Sequence, residues 1–184
     1  TIQFELVSVD YVQDDDWYTD AGAGAVSEFK SSLAQSPGRY INVYTNDAGG
    51  GGTLGYATLP PGTAGTADDG IVMLHNTIGG RNNGYGSFDQ GRTLVHEVGH
   101  YLGLLHTFDG GVCSNTYTTQ DLIVDTPAQS APDYGTSASS ACGVTSAIEN
   151  FMNYSDDLAM YTFTEEQTNR MICSQTSYRP NGYS

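Results

Sequence analysis

Length, composition and charge limit what this chain of 184 residues can do. The length suffices for one domain with a sizeable core. Six lysines and arginines oppose 21 aspartates and glutamates, a formal net charge of −15. This balance excludes the basic stripe that nucleic-acid binding needs and disfavours adsorption to anionic membranes. No run approaches roughly 18 apolar residues, so no membrane span is predicted.

The N-terminal half alternates strand-like and loop-like segments. Residues 1–12 alternate apolar and polar side chains, which predicts a half-buried strand. The acidic run at 14–16 is interpreted as a solvated loop. Asp20 is expected to cap a helix that extends to about residue 35. Further strands are predicted at 40–44, 54–59 and 71–77, separated by turns rich in glycine and proline.

Residues 96–106, HEVGHYLGLLH, contain three of the four histidines. His96 and His100 are four residues apart, so they project from one face of a helix. Two neutral imidazoles at this spacing can share a zinc ion. Gly103 can adopt the left-handed conformation that ends a helix, and the turn would bring His106 to the same metal. Three nitrogens and one open position predict a catalytic zinc site.

The helix that carries these ligands is predicted over 91–102, and it also contains Glu97. Glu97 can take a proton from zinc-bound water and pass it to the leaving amine. The alternative, three histidines as satisfied core residues, is unfavourable because each buried imidazole needs hydrogen-bond partners. His75, on the preceding predicted strand, is interpreted as a rim or packing residue because the three-ligand set is already complete.

The stretch from 108 to 146 lacks regular patterning and needs a staple or an ion to hold it. One staple could be a disulfide, since three cysteines allow at most one intrachain bridge. One ion could be calcium, with hard oxygen ligands from Asp121 and the Val124 and Thr126 carbonyls; an ordinary polar turn is the alternative. Further on, residues 164–167 form a capping box, which predicts a helix to about residue 173.

These motifs resemble those of the metzincin zinc endopeptidases. The stretch HEVGHYLGLLH matches their helix signature, and NFMNY at 150–154 matches their Met-turn, with Met152 as its methionine. Further matches point to the pappalysin branch and cover most of the chain from about residue 40 to 171. They are LGYATLP, DGIVM, DTP, NFMNYSDD and MYTFTEEQTNRM.

The resemblance implies a mixed α/β metzincin fold in a single catalytic domain over 1–184. The upper lobe, about 1–103, would hold a twisted, mostly parallel five-stranded sheet, a backing helix and the zinc helix. The lower lobe, about 104–184, would be small and irregular and would end in a helix. The strand before the zinc helix would form the upper rim of the cleft, where bound peptide pairs with its edge. The alternation of strand and helix signals agrees with this fold.

The resemblance also implies roles for single residues. Tyr154 would hydrogen-bond the oxyanion of the intermediate, with a core tyrosine as the alternative. Met152 would form a hydrophobic floor under the histidines. Cys113 and Cys142 would form the disulfide that staples the loop. Independently of the resemblance, Cys173 lies in a helix-like segment and is predicted to be a buried thiol, as free cysteines commonly are.

We therefore expect a secreted, monomeric zinc endopeptidase that hydrolyses proteins or peptides and is made as a zymogen. The start at Thr1 without a signal peptide is interpreted as a processed mature form, and a trimmed piece of a longer chain would look the same. One alternative is a non-catalytic homologue that binds a single partner, against which an intact Glu97 argues. Another is a proteolytic toxin that acts on one specific protein.

Overall fold

The computed structural model describes residues 2–20, 25–80 and 85–182. Its helices and strands, in chain order, are α1 (Asp15–Thr19), α2 (Ala25–Leu33), β1 (Val43–Asn46), β2 (Gly55–Ala57), β3 (Ile71–Leu74), α3 (Arg92–Tyr101) and α4 (Glu165–Tyr178). Short 3-10 helices lie at Gly86–Phe88, Asp109–Gly111 and Pro180–Gly182. The predicted mixed α/β class is confirmed. None of the helices described is both long and apolar enough to cross a membrane.

The described ranges form a three-stranded sheet in the order β1-β3-β2, where five strands were expected. β1 runs parallel to β3 with Val43 opposite Ile71, and β2 runs antiparallel with Gly55 opposite Met73. All four residues of β3 are buried, as is typical of a central strand. The prediction that the strand before the zinc helix forms the rim is therefore wrong. β3 is paired on both sides, with β1 and with β2. β2 is an outer strand of the described sheet, so its other edge is free.

The prediction of a half-buried strand at the N-terminus is also wrong; Thr1 lies outside the described residues. Residues 2–12 have no strand assignment, and their large side chains face solvent, with Phe4 62% and Tyr11 95% exposed. Ile2 packs against the core. Alternation gives a segment two faces, but a strand also needs a neighbour for its backbone hydrogen bonds.

The acidic run after this segment begins a helix instead of a loop. The Asp14 carboxylate accepts a hydrogen bond from the Trp17 backbone N–H at 2.9 Å and caps α1. Asp20 ends α1 with a φ of 51°, and its predicted role as the cap of the next helix stays a prediction. That helix is α2, and the start predicted for it at 21–24 lies outside the described residues.

The core lies where the sheet, α3, α4 and the Met-turn meet. Its buried apolar residues are Ile71, Met73, Tyr101, Leu102, Leu104, Ile123, Met152 and Met171. The predicted capping box of α4 is confirmed, because Thr164 and Gln167 each bind the other's backbone N–H through their side chains. α4 continues to Tyr178, beyond its predicted end. Cys173 is exposed, contrary to prediction, because it lies two residues after the inward-facing Met171 and therefore points away from the core.

The chain between α3 and α4 is largely irregular, as predicted. It contains the disulfide between Cys113 and Cys142. It also contains a buried polar network in which Gln129 donates to Asn153 at 3.2 Å and accepts from the Thr107 hydroxyl at 3.0 Å. This network ties the loop after the third histidine to the Met-turn.

Candidate metal centre

Three histidines converge at the C-terminal end of α3. The Nε2 atoms of His96 and His100 lie 3.1 Å apart, and the His106 Nε2 lies 3.2 and 3.0 Å from them respectively. Their ligand atoms form a group that could hold a metal ion. Gly103 supplies the turn between the helix and His106 with a φ of 92°, as predicted.

Hydrogen bonds fix the tautomers of the two helical ligands. The Nδ1 of His96 lies 2.6 Å from the Phe151 carbonyl, and that of His100 lies 2.8 Å from the Leu104 carbonyl. A carbonyl only accepts, so each neutral ring carries its proton on Nδ1 and directs the Nε2 lone pair inward. Burial lowers the pKa of both rings, most strongly for His96, and lowers the pKa of His106 to about 4.

This donor set fits a cation such as zinc. Neutral imidazoles whose Nε2 lone pairs converge within 3.2 Å repel one another unless a positive ion lies between them. Tetrahedral zinc with Zn–N bonds of about 2.0–2.1 Å requires nitrogens roughly 3.3 Å apart, close to the separations here. Imidazole nitrogen is also a preferred zinc ligand.

Glu97 lies on α3 beside the first ligand and is 5% exposed. It packs against β2, since a β-carbon added to Gly55 would lie 3.1 Å from the Glu97 Cγ. Burial raises the pKa of Glu97 to about 8, and a cation in the histidine cluster would lower it again. Such a carboxyl can exchange a proton near neutral pH.

Met152 is fully buried and lies against α3. A β-carbon on Gly99 would overlap the Met152 Sδ, so the helix and the Met-turn are in direct contact. The Asn150 side chain accepts from the Met152 backbone N–H at 2.9 Å and exchanges hydrogen bonds with Gln167 of α4 at 2.8 and 3.1 Å. Sequence reasoning missed this Asn150–Gln167 pair. Its only signal was the polar residue that opens the NFMNY motif.

Tyr154 lies against two of the three histidines and is 38% exposed. Its ring centroid is 4.8 Å from that of His106 and 5.8 Å from that of His96. Phe108, which sequence reasoning also missed, stacks on His106 with an interplanar angle of 6°. The exposed fraction of Tyr154 differs from that of a fully buried core tyrosine.

The residues predicted to bind calcium lie close together, and hydrogen bonds between protein groups hold them there. The Thr126 hydroxyl lies 2.9 and 3.1 Å from the two carboxylate oxygens of Asp121. The Asn115 amide donates to the Val124 and Thr126 carbonyls at 3.1 and 2.9 Å. Asp121 is fully buried, and burial raises its pKa to about 6. Calcium binding stays a prediction.

His75 lies apart from the three-histidine group. It follows β3, is exposed, and its ring centroid lies 5.7 Å from that of Tyr18. Its Nδ1 is 3.3 Å from the Asn46 carbonyl oxygen. These contacts fit the interpretation of His75 as a rim or packing residue.

A mixed α/β fold with a helix-borne histidine pair, a third histidine and an adjacent glutamate is the arrangement of a metallopeptidase. Residues 25–174 match the model of the Peptidase M43 family, described as pregnancy-associated plasma protein-A. The chain belongs to this family, which confirms the resemblance to the pappalysins.

Curated relatives of this chain are also named as metalloproteases. An extracellular metalloprotease of Pyricularia oryzae is 35% identical over 190 residues, which cover 97% of this chain and 62% of the relative. One of Colletotrichum graminicola is 37% identical over 189 residues, covering 97% and 63%. This chain thus spans about three fifths of the length of these relatives. Their names support the predicted extracellular location.

Solved structures resemble the fold. Mature mirolysin of Tannerella forsythia in complex with a cleaved peptide superimposes with a TM-score of 0.74 at 31% identity, covering 88% of this chain and 64% of that chain. A promirolysin mutant from the same organism gives a TM-score of 0.73 at 29% identity, covering 88% and 57%.

Proposed function

We propose that this chain is the catalytic region of a secreted zinc endopeptidase that hydrolyses peptide bonds in proteins. The observation that carries the proposal is the convergence of three Nε2 atoms within 3.2 Å beside a buried glutamate. His96, His100 and His106 would hold the zinc ion. Membership of a peptidase family supports the reaction class.

Glu97 is the proposed general base. The chemistry that a zinc ion supplies when bound is polarisation of the scissile carbonyl and acidification of the attacking water. Glu97 takes the proton from that water and transfers it to the leaving amine nitrogen, which becomes a neutral amine as the peptide C–N bond breaks. Burial raises the pKa of Glu97 and a bound zinc ion would lower it again, and these opposing effects suit a group that gains and loses a proton during turnover.

The substrate is proposed to bind in an extended conformation along the free edge of β2. Unpaired backbone groups on an edge strand can hydrogen-bond a peptide with little sequence preference. Gly55 of this strand lies against Glu97, so a peptide paired there would pass the proposed base. Mirolysin, a structural relative, was solved with a cleaved peptide, which supports a peptide substrate.

Tyr154 is proposed to donate its hydroxyl proton in a hydrogen bond to the oxyanion of the tetrahedral intermediate. Its ring contact with His106 and its partial exposure support this role. Burial raises the pKa of Tyr154, which keeps the hydroxyl protonated as a donor. Met152 would support the ligands from below.

The remaining features are proposed on the same basis. The protein would act as a monomer, with one catalytic domain whose two lobes divide near residue 103. It would also be made as a zymogen, which the promirolysin structure among the structural relatives supports. Calcium, if bound, would hold the irregular loop at Asp121. A partner-specific toxin or a binding homologue without activity is the alternative function.

Hydrolysis of unfolded casein by the purified chain tests the proposal. We expect cleavage that a zinc chelator abolishes and that stoichiometric zinc restores. Cleavage that persists after the zinc content has fallen to zero would contradict a zinc-dependent mechanism. Absence of cleavage by the zinc-loaded chain would favour the binding homologue or the partner-specific toxin.

A further inference from the structure

The three zinc ligands are not held in the same way. His96 and His100 are on α3, and the Nδ1 of each donates to a backbone carbonyl. His106 lies outside the helix, and among the described residues the polar contacts of its ring involve Nε2 alone, the atom that faces the other two histidines. A ring attached by rotatable bonds to an irregular loop needs another contact to fix its plane.

Phe108 supplies that contact. Its ring is parallel to the His106 ring within 6°, with centroids 4.9 Å apart. This is an offset-stacked arrangement, which aromatic pairs prefer. The Tyr154 ring contacts both of these rings. Its centroid lies 4.8 Å from that of His106 and 4.9 Å from that of Phe108.

The backbone explains why Phe108 lies beside His106. Between them, Thr107 is fully buried; its N–H donates to the Met152 carbonyl at 3.2 Å and its hydroxyl to Gln129 at 3.0 Å. A turn with a 3.0 Å hydrogen bond from the Asp109 N–H to the His106 carbonyl encloses the same residues. With Thr107 anchored inward, its two neighbours can project together toward the metal centre.

We propose that Phe108 is a positioning residue that holds the His106 imidazole in its ligating orientation, in place of the hydrogen bond that the other two ligands make. This inference rests on the proposed zinc site. Phe108 acts through His106 and through the ring of Tyr154. Partners that orient metal ligands typically contribute about 10- to 100-fold to metal affinity.

The test compares Phe108→Leu with Phe108→Tyr, which keeps the ring. Zinc dissociation constants are measured by chelator competition, and the d–d absorption of the cobalt-substituted protein reports the geometry of the ligands. We expect Phe108→Leu to weaken zinc binding by about 10-fold and to change the cobalt spectrum. Phe108→Tyr should stay within about twofold of the wild type, with an unchanged spectrum.

Phe29→Leu is the matched control. Phe29 is 2% exposed and packs against Tyr44, so its replacement should lower thermal stability without changing zinc affinity or the cobalt spectrum. If Phe108→Leu does not fold, Phe108→Met, which is apolar but has no ring, replaces it with the same expectation.

Wild-type affinity and spectrum in Phe108→Leu, or an equal loss in Phe108→Tyr, would overturn the role of the stack while leaving the proposed peptidase function standing. A wild-type chain that binds no zinc would overturn both.

Discussion

Gly55 of β2 and Glu97 of α3 are in such close contact that a β-carbon at residue 55 would lie 3.1 Å from the Glu97 Cγ. The same β-carbon would lie 3.0 Å from the Met73 Sδ and 3.1 Å from the Val72 carbonyl oxygen. The backbone oxygen cannot move without breaking the sheet, so the side chains would have to give way. Glycine in a strand often marks such an approach.

We therefore expect Gly55→Ala to displace Glu97 by a few tenths of an ångström and to reduce kcat/KM by less than the roughly 100-fold that a 1 Å misplacement of a catalytic group can cost. Zinc content should stay the same, because the three atoms nearest to a β-carbon at residue 55 belong to Met73, Glu97 and Val72 and to none of the histidines. Gly62→Ala is the control, since a β-carbon there would meet no atom within 4 Å. Wild-type kcat/KM in Gly55→Ala would show that the position of Glu97 does not limit the reaction.

Arg179 and Asp69 form a buried ion pair that joins the chain after α4 to the start of β3. Two hydrogen bonds of 2.7 and 2.8 Å connect the side chains, which are 2% and 1% exposed. The Arg179 Nη1 also donates to the Tyr101 carbonyl at 2.8 Å, at the end of α3. One guanidinium thus connects three elements of the core.

Removing only the cation should be costly because it leaves the Asp69 carboxylate buried and unpaired. We expect Arg179→Met to lower the free energy of unfolding by about 3–5 kcal/mol, measured by denaturant titration. Adding Asp69→Asn to this variant should recover part of the loss. Arg39→Met, at an exposed position, is the control. A change within about 0.5 kcal/mol for Arg179→Met, the range of ordinary surface substitutions, would contradict this account.

Local sequence signals predicted the parts of the site that depend on a few neighbouring residues. Helix α3, the positive φ of Gly103 and the capping box at Thr164 follow from spacing and residue type within one or two turns. The stack of Phe108 on His106 and the Asn150–Gln167 pair were missed, because each depends on how an irregular loop or a distant helix is placed.

The predictions of strands and of their places in the sheet were also partly wrong, because strand pairing depends on segments that lie far apart in the chain. Residues 2–12 have the alternation of a strand but no partner strand in the described structure. For β3 a usable signal was present: IVML at 71–74 is continuously apolar, which is typical of a central strand and not of a rim. The rim was assigned to β3 from the resemblance, although β2 has the free edge.

Asp121 should make stability fall as pH rises. Burial raises its pKa in the folded chain from the ordinary 3.8 to about 6, so the folded state binds more protons than the unfolded state between these values. The contribution of Asp121 to the free energy of unfolding should therefore decrease from about pH 4 to pH 6. The measurement is the difference between wild type and Asp121→Asn in a chelator.

Calcium should reverse this trend if the predicted site binds it. Added calcium would then raise the Tm of the wild type at pH 7 and leave Asp121→Asn unchanged, because only the carboxylate attracts the ion. An equal shift in both proteins, or none in either, would exclude a calcium site at Asp121.

The most direct test of the central claim is hydrolysis of unfolded casein by the wild type and by Glu97→Ala, with zinc content determined on the same samples. We expect about one zinc per chain in both proteins, because the three histidines are unchanged, and cleavage by the wild type alone. Full cleavage by Glu97→Ala with zinc bound would contradict the assignment of Glu97 as the base and, with it, the proposed mechanism.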